Sequence, residues 1–151
     1  MRSRIHTVLV PSEIGDFAEE IRRAFLELGR SFAAESLVGE CSPPIDVFET
    51  DETVEITVDL PGASSTAVRV MFKADTVLIV GEKPVRRGGV ESSFHLVERG
   101  FGRFARTVRI GRACDGSRAH ARLVKGELRI SIPKIAERRG QTFEIQVMAN
   151  G

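Results

Sequence analysis

Between Ser12 and Arg30 the apolar residues Ile14, Phe17, Ala18, Ile21, Ala24, Phe25 and Leu28 recur at helical spacing, with Glu13, Asp16, Glu20, Arg23 and Glu27 on the opposite face. The pattern predicts an amphipathic helix over about 12–30. Ser12, after Pro11, is placed as its N-cap, Glu13 and Asp16 suit the positive end of the helix dipole, and Gly29 marks a stop. The apolar stripe needs a cover, and two remain open: the chain's own domain, or a partner or second copy.

At Pro43-Pro44 the period changes from 3.6 to 2, and alternation continues to about Pro133. Val54, Ile56, Val58 and Leu60 alternate with Thr53, Glu55, Thr57 and Asp59; Leu128, Ile130 and Ile132 alternate with Glu127, Arg129 and Ser131. Each is a strand with one wet face and one dry face. Weaker alternation predicts strands over 45–49, 68–72 and 104–110, and a short mixed one over 119–124. Val77-Leu78-Ile79-Val80 is apolar at every position, as in a strand buried on both faces. Pro61-Gly62, Ala74-Asp75 and Lys125-Gly126 supply turns, the last a tight hairpin. With no crossover helices between them, these short strands pair antiparallel, and the predicted fold class is all-β, an antiparallel immunoglobulin-like β-sandwich. The connection from Gly81 to Gly102 is long enough to be functional and holds a further strand candidate at Phe94 to Glu98. The expected organisation is an N-terminal arm over 1–43, a sandwich over 44–134 and a C-terminal extension over 135–151.

Composition narrows the function classes. The chain has 151 residues with 22 Lys plus Arg against 21 Asp plus Glu, so 22 − 21 gives a net charge of +1 and no global field for nucleic acid or anionic membrane. No apolar run approaches the roughly 18 residues of a membrane span, and Val8-Leu9-Val10 is too short for a signal-peptide core, so a cytoplasmic location and no stable membrane insertion are expected. Two well-separated cysteines, Cys41 and Cys114, fit free thiols in a reducing compartment.

Motifs for chemistry are missing. There is no phosphate-cradling G-x-x-x-x-G-K-[ST], and Gly100 to Ala105 lacks the third glycine of G-x-G-x-x-G. His6, His95 and His120 are scattered, so no metal site is expected. Cys114, Asp115 and His120 lie close in sequence but within a turn, and Gly62-Ala63-Ser64-Ser65-Thr66 fails as a hydrolase elbow. No catalytic residue and no cofactor is assigned, and the chain is not read as an enzyme. Arg99-Gly100-Phe101-Gly102 opens like an RNA-recognition signature, then fails at Arg103-Phe104, and its strand would present Arg103, Ala105, Thr107 and Arg109 rather than stacking aromatics. No nucleic-acid partner is expected.

The stretch from about Pro44 to Val147 resembles the α-crystallin domain of the small heat-shock proteins. Pro44-Ile45-Asp46-Val47-Phe48-Glu49 is similar to the family's P-x-D-I-Y-E opening, Val58-Asp59-Leu60-Pro61-Gly62 to its A-D-L-P-G turn, and Leu78-Ile79-Val80-Gly81-Glu82-Lys83 to its L-x-I-x-G-E-[RK] strand. Glu98-Arg99-Gly100-Phe101-Gly102-Arg103-Phe104-Ala105-Arg106 tracks its E-R-x-x-G-x-F-x-R segment, and Ala121 to Leu128 carries its A-x-x-x-x-G-x-L signature. Ile145-Gln146-Val147 fits the [IV]-x-[IV] motif of the C-terminal extension. Three departures stand out: Ile110-Gly111 for L-P, Glu127 for the usual Val, and only four residues after Val147.

The resemblance implies an ATP-independent holdase for unfolding client proteins, built as a homo-oligomer of dimers. It implies client binding by the arm residues Ile14, Phe17, Ile21, Phe25, Leu28 and Phe32. It implies a dimer interface at Ile45, Val47, Phe94, Leu96 and Arg106, with the 94–98 segment exchanged onto the partner's 45–49 strand or kept on its own subunit. It also implies docking of Ile145 and Val147 in a groove formed by Val68, Val70, Phe72, Ala119, Ala121 and Leu123, against the alternative of a terminal strand on the same domain. Arg106 shares inward parity with Phe104 and Val108, so a carboxylate partner is expected, one across the dimer seam. The alternative function is a monomeric co-chaperone-like adaptor on the same sandwich.

Overall fold

A computed structural model describes residues 16–31, 41–84, 90–135 and 144–149, with side chains omitted for 28–31. The helix α1 spans Ala18–Ser31 and runs past Gly29, so that glycine does not end it. The predicted start at Ser12 and the residues Ile14 and Phe32 lie outside the described residues, as does the Leu28 side chain. Among the described residues seven strands follow: β1 Ile45–Glu49, β2 Thr53–Asp59, β3 Val68–Lys73, β4 Thr76–Lys83, β5 Gly102–Arg109, β6 His120–Val124 and β7 Glu127–Pro133.

They form two antiparallel sheets, β1-β2-β7-β6 and β3-β4-β5, the layers of the predicted sandwich. Alternation places the core between them. Val54, Ile56 and Val58 of β2 and Leu128, Ile130 and Ile132 of β7 meet Val77 and Ile79 of β4 and Phe104 and Val108 of β5. The β6–β7 hairpin turns on Lys125 and Gly126, both with positive φ (49° and 81°), the backbone a two-residue turn of this hand requires.

The uninterrupted apolar run in β4 now has a cause. Val77 and Ile79 face the sandwich core, while Leu78 and Val80 face away from it, where α1 packs on β4. Of the two covers left open for the helical stripe, the chain's own domain is the one observed. Phe94 to Glu98, by contrast, forms no strand. A strand needs a neighbouring ladder for its N–H and C=O groups. Among the described residues the segment has none.

Candidate functional site

Three surfaces gather the residues singled out above. At one side of the sandwich, Arg106 on β5 turns toward the segment leading into β1. Its Nη1 donates to the Pro43 carbonyl at 2.6 Å and to Ser42 Oγ at 3.2 Å. It is half-buried between Phe104 and Val108, and burial lowers its pKa from the usual guanidinium value. Among the described residues no ion pair includes it, and the carboxylate expected across a dimer seam would come from another copy of the chain. The Pro43 carbonyl and the Ser42 hydroxyl both accept from Nη1. On β1, Ile45 packs on the core, but Val47, of the same parity, is exposed. The four-stranded sheet is wider than the three-stranded one, and its β1 edge is incompletely covered. Phe94 and Leu96, at 58% and 74% exposure, stand on the connection with no ladder to β1.

The second surface lies between β3 and β6, an edge strand of each sheet. Val68, Val70 and Phe72 on β3, with Ala119 and Leu123 at β6, are half-buried and lean on the core; Ala121 is exposed. The 3-10 turn before β6 presses on Phe72, where a Cβ added to Gly116 would come within 2.5 Å of the ring. The two edges therefore flank a shallow apolar strip closed at that end. Ile145 and Val147, at 85% and 96% exposure, do not lie in it, and 144–149 forms no strand. The alternative of a terminal strand on the same domain is thus not observed.

The third surface is the stripe of α1. Phe17 and Ala24 are each only 4% exposed, and Ile21 and Phe25 are half-buried. Basic residues of the underlying sheet grip the helix edges. Lys73 Nζ reaches Glu20 Oε1 at 3.2 Å and the Asp16 carbonyl at 3.3 Å, and lies 5.7 Å from the Phe17 ring centre. Arg69 pairs with Glu27 at 3.9 Å, and the Arg103 guanidinium sits 5.1 Å over the Phe25 ring. A hydrogen bond accepted from its own backbone N–H and one from the Lys73 ammonium hold the Glu20 carboxyl below its ordinary range. No sequence motif marks Lys73, Arg69 or Arg103 as a helix contact. Their shared outward parity was the available signal, and only the placement of α1 gives it meaning. The same helix covers the face that an RNA-recognition strand would need.

Elsewhere the chemistry is structural. Asp115 accepts from the Ser117 amide at 3.0 Å and from its hydroxyl, which keeps its carboxyl low and ties it to its own turn rather than to Cys114. Partial burial raises both Cys41 and Cys114, which disfavours their thiolates. Among the described residues no three His, Cys, Asp or Glu side chains cluster as metal ligands, and no helix is long and apolar enough to cross a membrane.

Comparison with known proteins converges on one family. The sequence model of the Hsp20/alpha crystallin family matches residues 46–148. Heat shock protein 16 of Schizosaccharomyces pombe is 36% identical over 99 residues, covering 64% of this chain and 69% of that protein. The 17.8 kDa class I heat shock protein of Arabidopsis thaliana is 32% identical over 119 residues, covering 74% of this chain and 76% of that one. Among solved structures, heat shock protein 16.0 from Schizosaccharomyces pombe superposes with a TM-score of 0.61 at 33% identity, over 72% of this chain and 100% of that chain. A seven-stranded sandwich of this topology, with its signature segments in register and a family match reaching from β1 to the exposed tail, makes the chain a member of the Hsp20/alpha crystallin family, the small heat-shock proteins.

Proposed function

We propose that the protein is an ATP-independent holdase chaperone that binds unfolding clients and keeps them from aggregating, working as a dynamic oligomer built from dimers in the cytoplasm. The observation that carries this reading is the set of large apolar side chains a folded single chain leaves in water: Val47 on β1, Phe94, Leu96 and Val97 on the connection between β4 and β5, and Ile145, Val147 and Met148 in the tail. Grouped apolar exposure of this kind marks surfaces awaiting partners. In the assembly, Phe94 to Glu98 of one protomer lies along β1 of its partner, supplying the ladder it lacks, with Arg106 at the seam. Ile145 and Val147, two residues apart and so on one side of an extended segment, fill the strip between β3 and β6 of a neighbour. The arm residues Ile14, Phe17, Ile21, Phe25, Leu28 and Phe32 meet clients once α1 lifts from its sheet. The organisation follows as arm 1–43, sandwich 44–134 and extension 135–151.

Preferential binding of the unfolded state needs no nucleotide, only mass action. The full chain should therefore suppress light scattering from a heated client enzyme in nucleotide-free buffer at near-stoichiometric ratios, and its light-scattering mass should exceed that of a dimer. A monomer that leaves aggregation unchanged would overturn the proposal and favour the adaptor.

A further inference from the structure

The outer face of the β3-β4-β5 sheet is organised in rows across the strands. Lys73, Thr76 and Arg109 form one; Met71, Leu78 and Thr107 the next; then Arg69, Val80 and Ala105; then Glu82 and Arg103. Its centre is apolar, one long rim carries Lys73 and Arg69, and Arg103 stands at the far corner. α1 lies across these rows with Glu20 at Lys73 and Glu27 at Arg69, so it runs antiparallel to β3. Seven helical residues rise roughly 10 Å and four strand residues roughly 13 Å. Two acids seven apart on a helix thus match two cations four apart on this strand.

We propose that this face is a receptor for amphipathic helical segments of client proteins, segments whose apolar stripe is flanked by two acidic residues seven positions apart, and that α1 occupies it as a competing internal ligand. The proposal rests on the holdase reading and names the client chemistry. Two features separate this contact from ordinary core packing. The sandwich core lies on the other face of the sheet, so removing α1 leaves that core closed. And the outward face carries unmet polar atoms: Glu82 Oε1 and Thr107 Oγ1 share its parity and are buried without a hydrogen-bond partner among the described residues. A client segment that brings a hydroxyl, amide or ammonium to either atom satisfies it. The rim ion pairs are solvent-exposed and individually weak, which suits exchange.

The test uses the full chain and fluorescence anisotropy with two labelled peptides: residues 16–31, and an unrelated Leu/Phe-striped helix with Glu at i and i+7. Glu20→Lys with Glu27→Lys weakens the internal ligand, and both peptides should then bind about tenfold tighter than to the wild type. Lys73→Glu with Arg69→Glu should abolish binding of both, and peptides with Lys in place of the two acids should restore it. The milder pair Lys73→Ser with Arg69→Ser gives the same ranking should the reversal impair folding. Binding that ignores these rim charges, or that a scrambled peptide matches, would overturn the receptor. Binding of the 16–31 peptide alone would overturn it in favour of α1 exchange between copies. Aggregation suppression measured in parallel separates the two readings: suppression with charge-blind peptide binding removes the receptor and leaves the holdase, whereas charge-dependent binding without suppression supports a helix receptor and removes the holdase.

Discussion

Gly81 shows how one atom constrains the sandwich. It sits in β4 opposite Val68 and Phe104, and a Cβ there would fall 2.5 Å from the Ala67 carbonyl oxygen, 2.9 Å from Phe104 Cζ and 3.2 Å from Val68 Cα. Two of these three are backbone and the third is a core ring, so nothing yields cheaply. Gly81→Ala should lower stability by about 1–3 kcal/mol, the usual cost of overpacking, seen as a reduced urea midpoint at unchanged slope. Gly111→Ala, where no atom lies within 4 Å, is the internal control and should leave the midpoint in place. A glycine in the Leu78 to Lys83 stretch was visible in the sequence as part of a resemblance; its reason was not, because the Ala67 carbonyl comes from another element. Arg106 divides the same way. Its inward parity follows from alternation, whereas its acceptor, the Pro43 carbonyl, lies 63 residues away and has no side-chain signature.

Elements were legible wherever their period was strong. β2 and β7 alternate cleanly and stand where expected, while Phe94 to Glu98 has strand-like residues but no ladder, since pairing is a property of two segments and a sequence shows one. For α1 the stripe was readable and the cover was not. The needed clue was the fully apolar β4: a strand dry on both faces requires a second layer, and the only amphipathic helix predicted in the sequence is the economical source. Ala24 lies in that contact, 4% exposed. Ala24→Asp places an unpaired carboxylate there, at a cost of several kcal/mol, against roughly 2–3 kcal/mol for burying an aromatic such as Phe17. The helix should therefore release while the sandwich, whose core lies on the other side of the sheet, stays folded. Limited proteolysis should show rapid cleavage within 16–31 and unchanged protection of β2 and β7; cleavage at the wild-type rate would mean that α1 docking does not depend on this contact.

For the whole molecule, the tail poses a packing problem the single chain does not solve. Ile145, Val147 and Met148 are almost wholly in water, although the same protein carries the half-buried apolar residues Val68, Val70, Phe72, Ala119 and Leu123 along the β3 and β6 edges. The described tail residues form no strand, and the proposed cover for them is the strip of another copy. A head-to-tail contact of this kind is heterologous and builds higher assemblies, while strand exchange at β1 is reciprocal and stops at a dimer. The two contacts should therefore separate by mutation. Ile145→Ala with Val147→Ala removes the tail's two anchors without touching the core, so the thermal transition of the sandwich should hold. The light-scattering mass should fall from the large oligomer to that of a dimer. Phe94→Ser with Leu96→Ser should instead weaken the dimer and thereby every assembly made from it. An oligomer of unchanged mass after the tail substitution would place the tail outside the assembly and require another surface, with the stripe of α1 the first to examine.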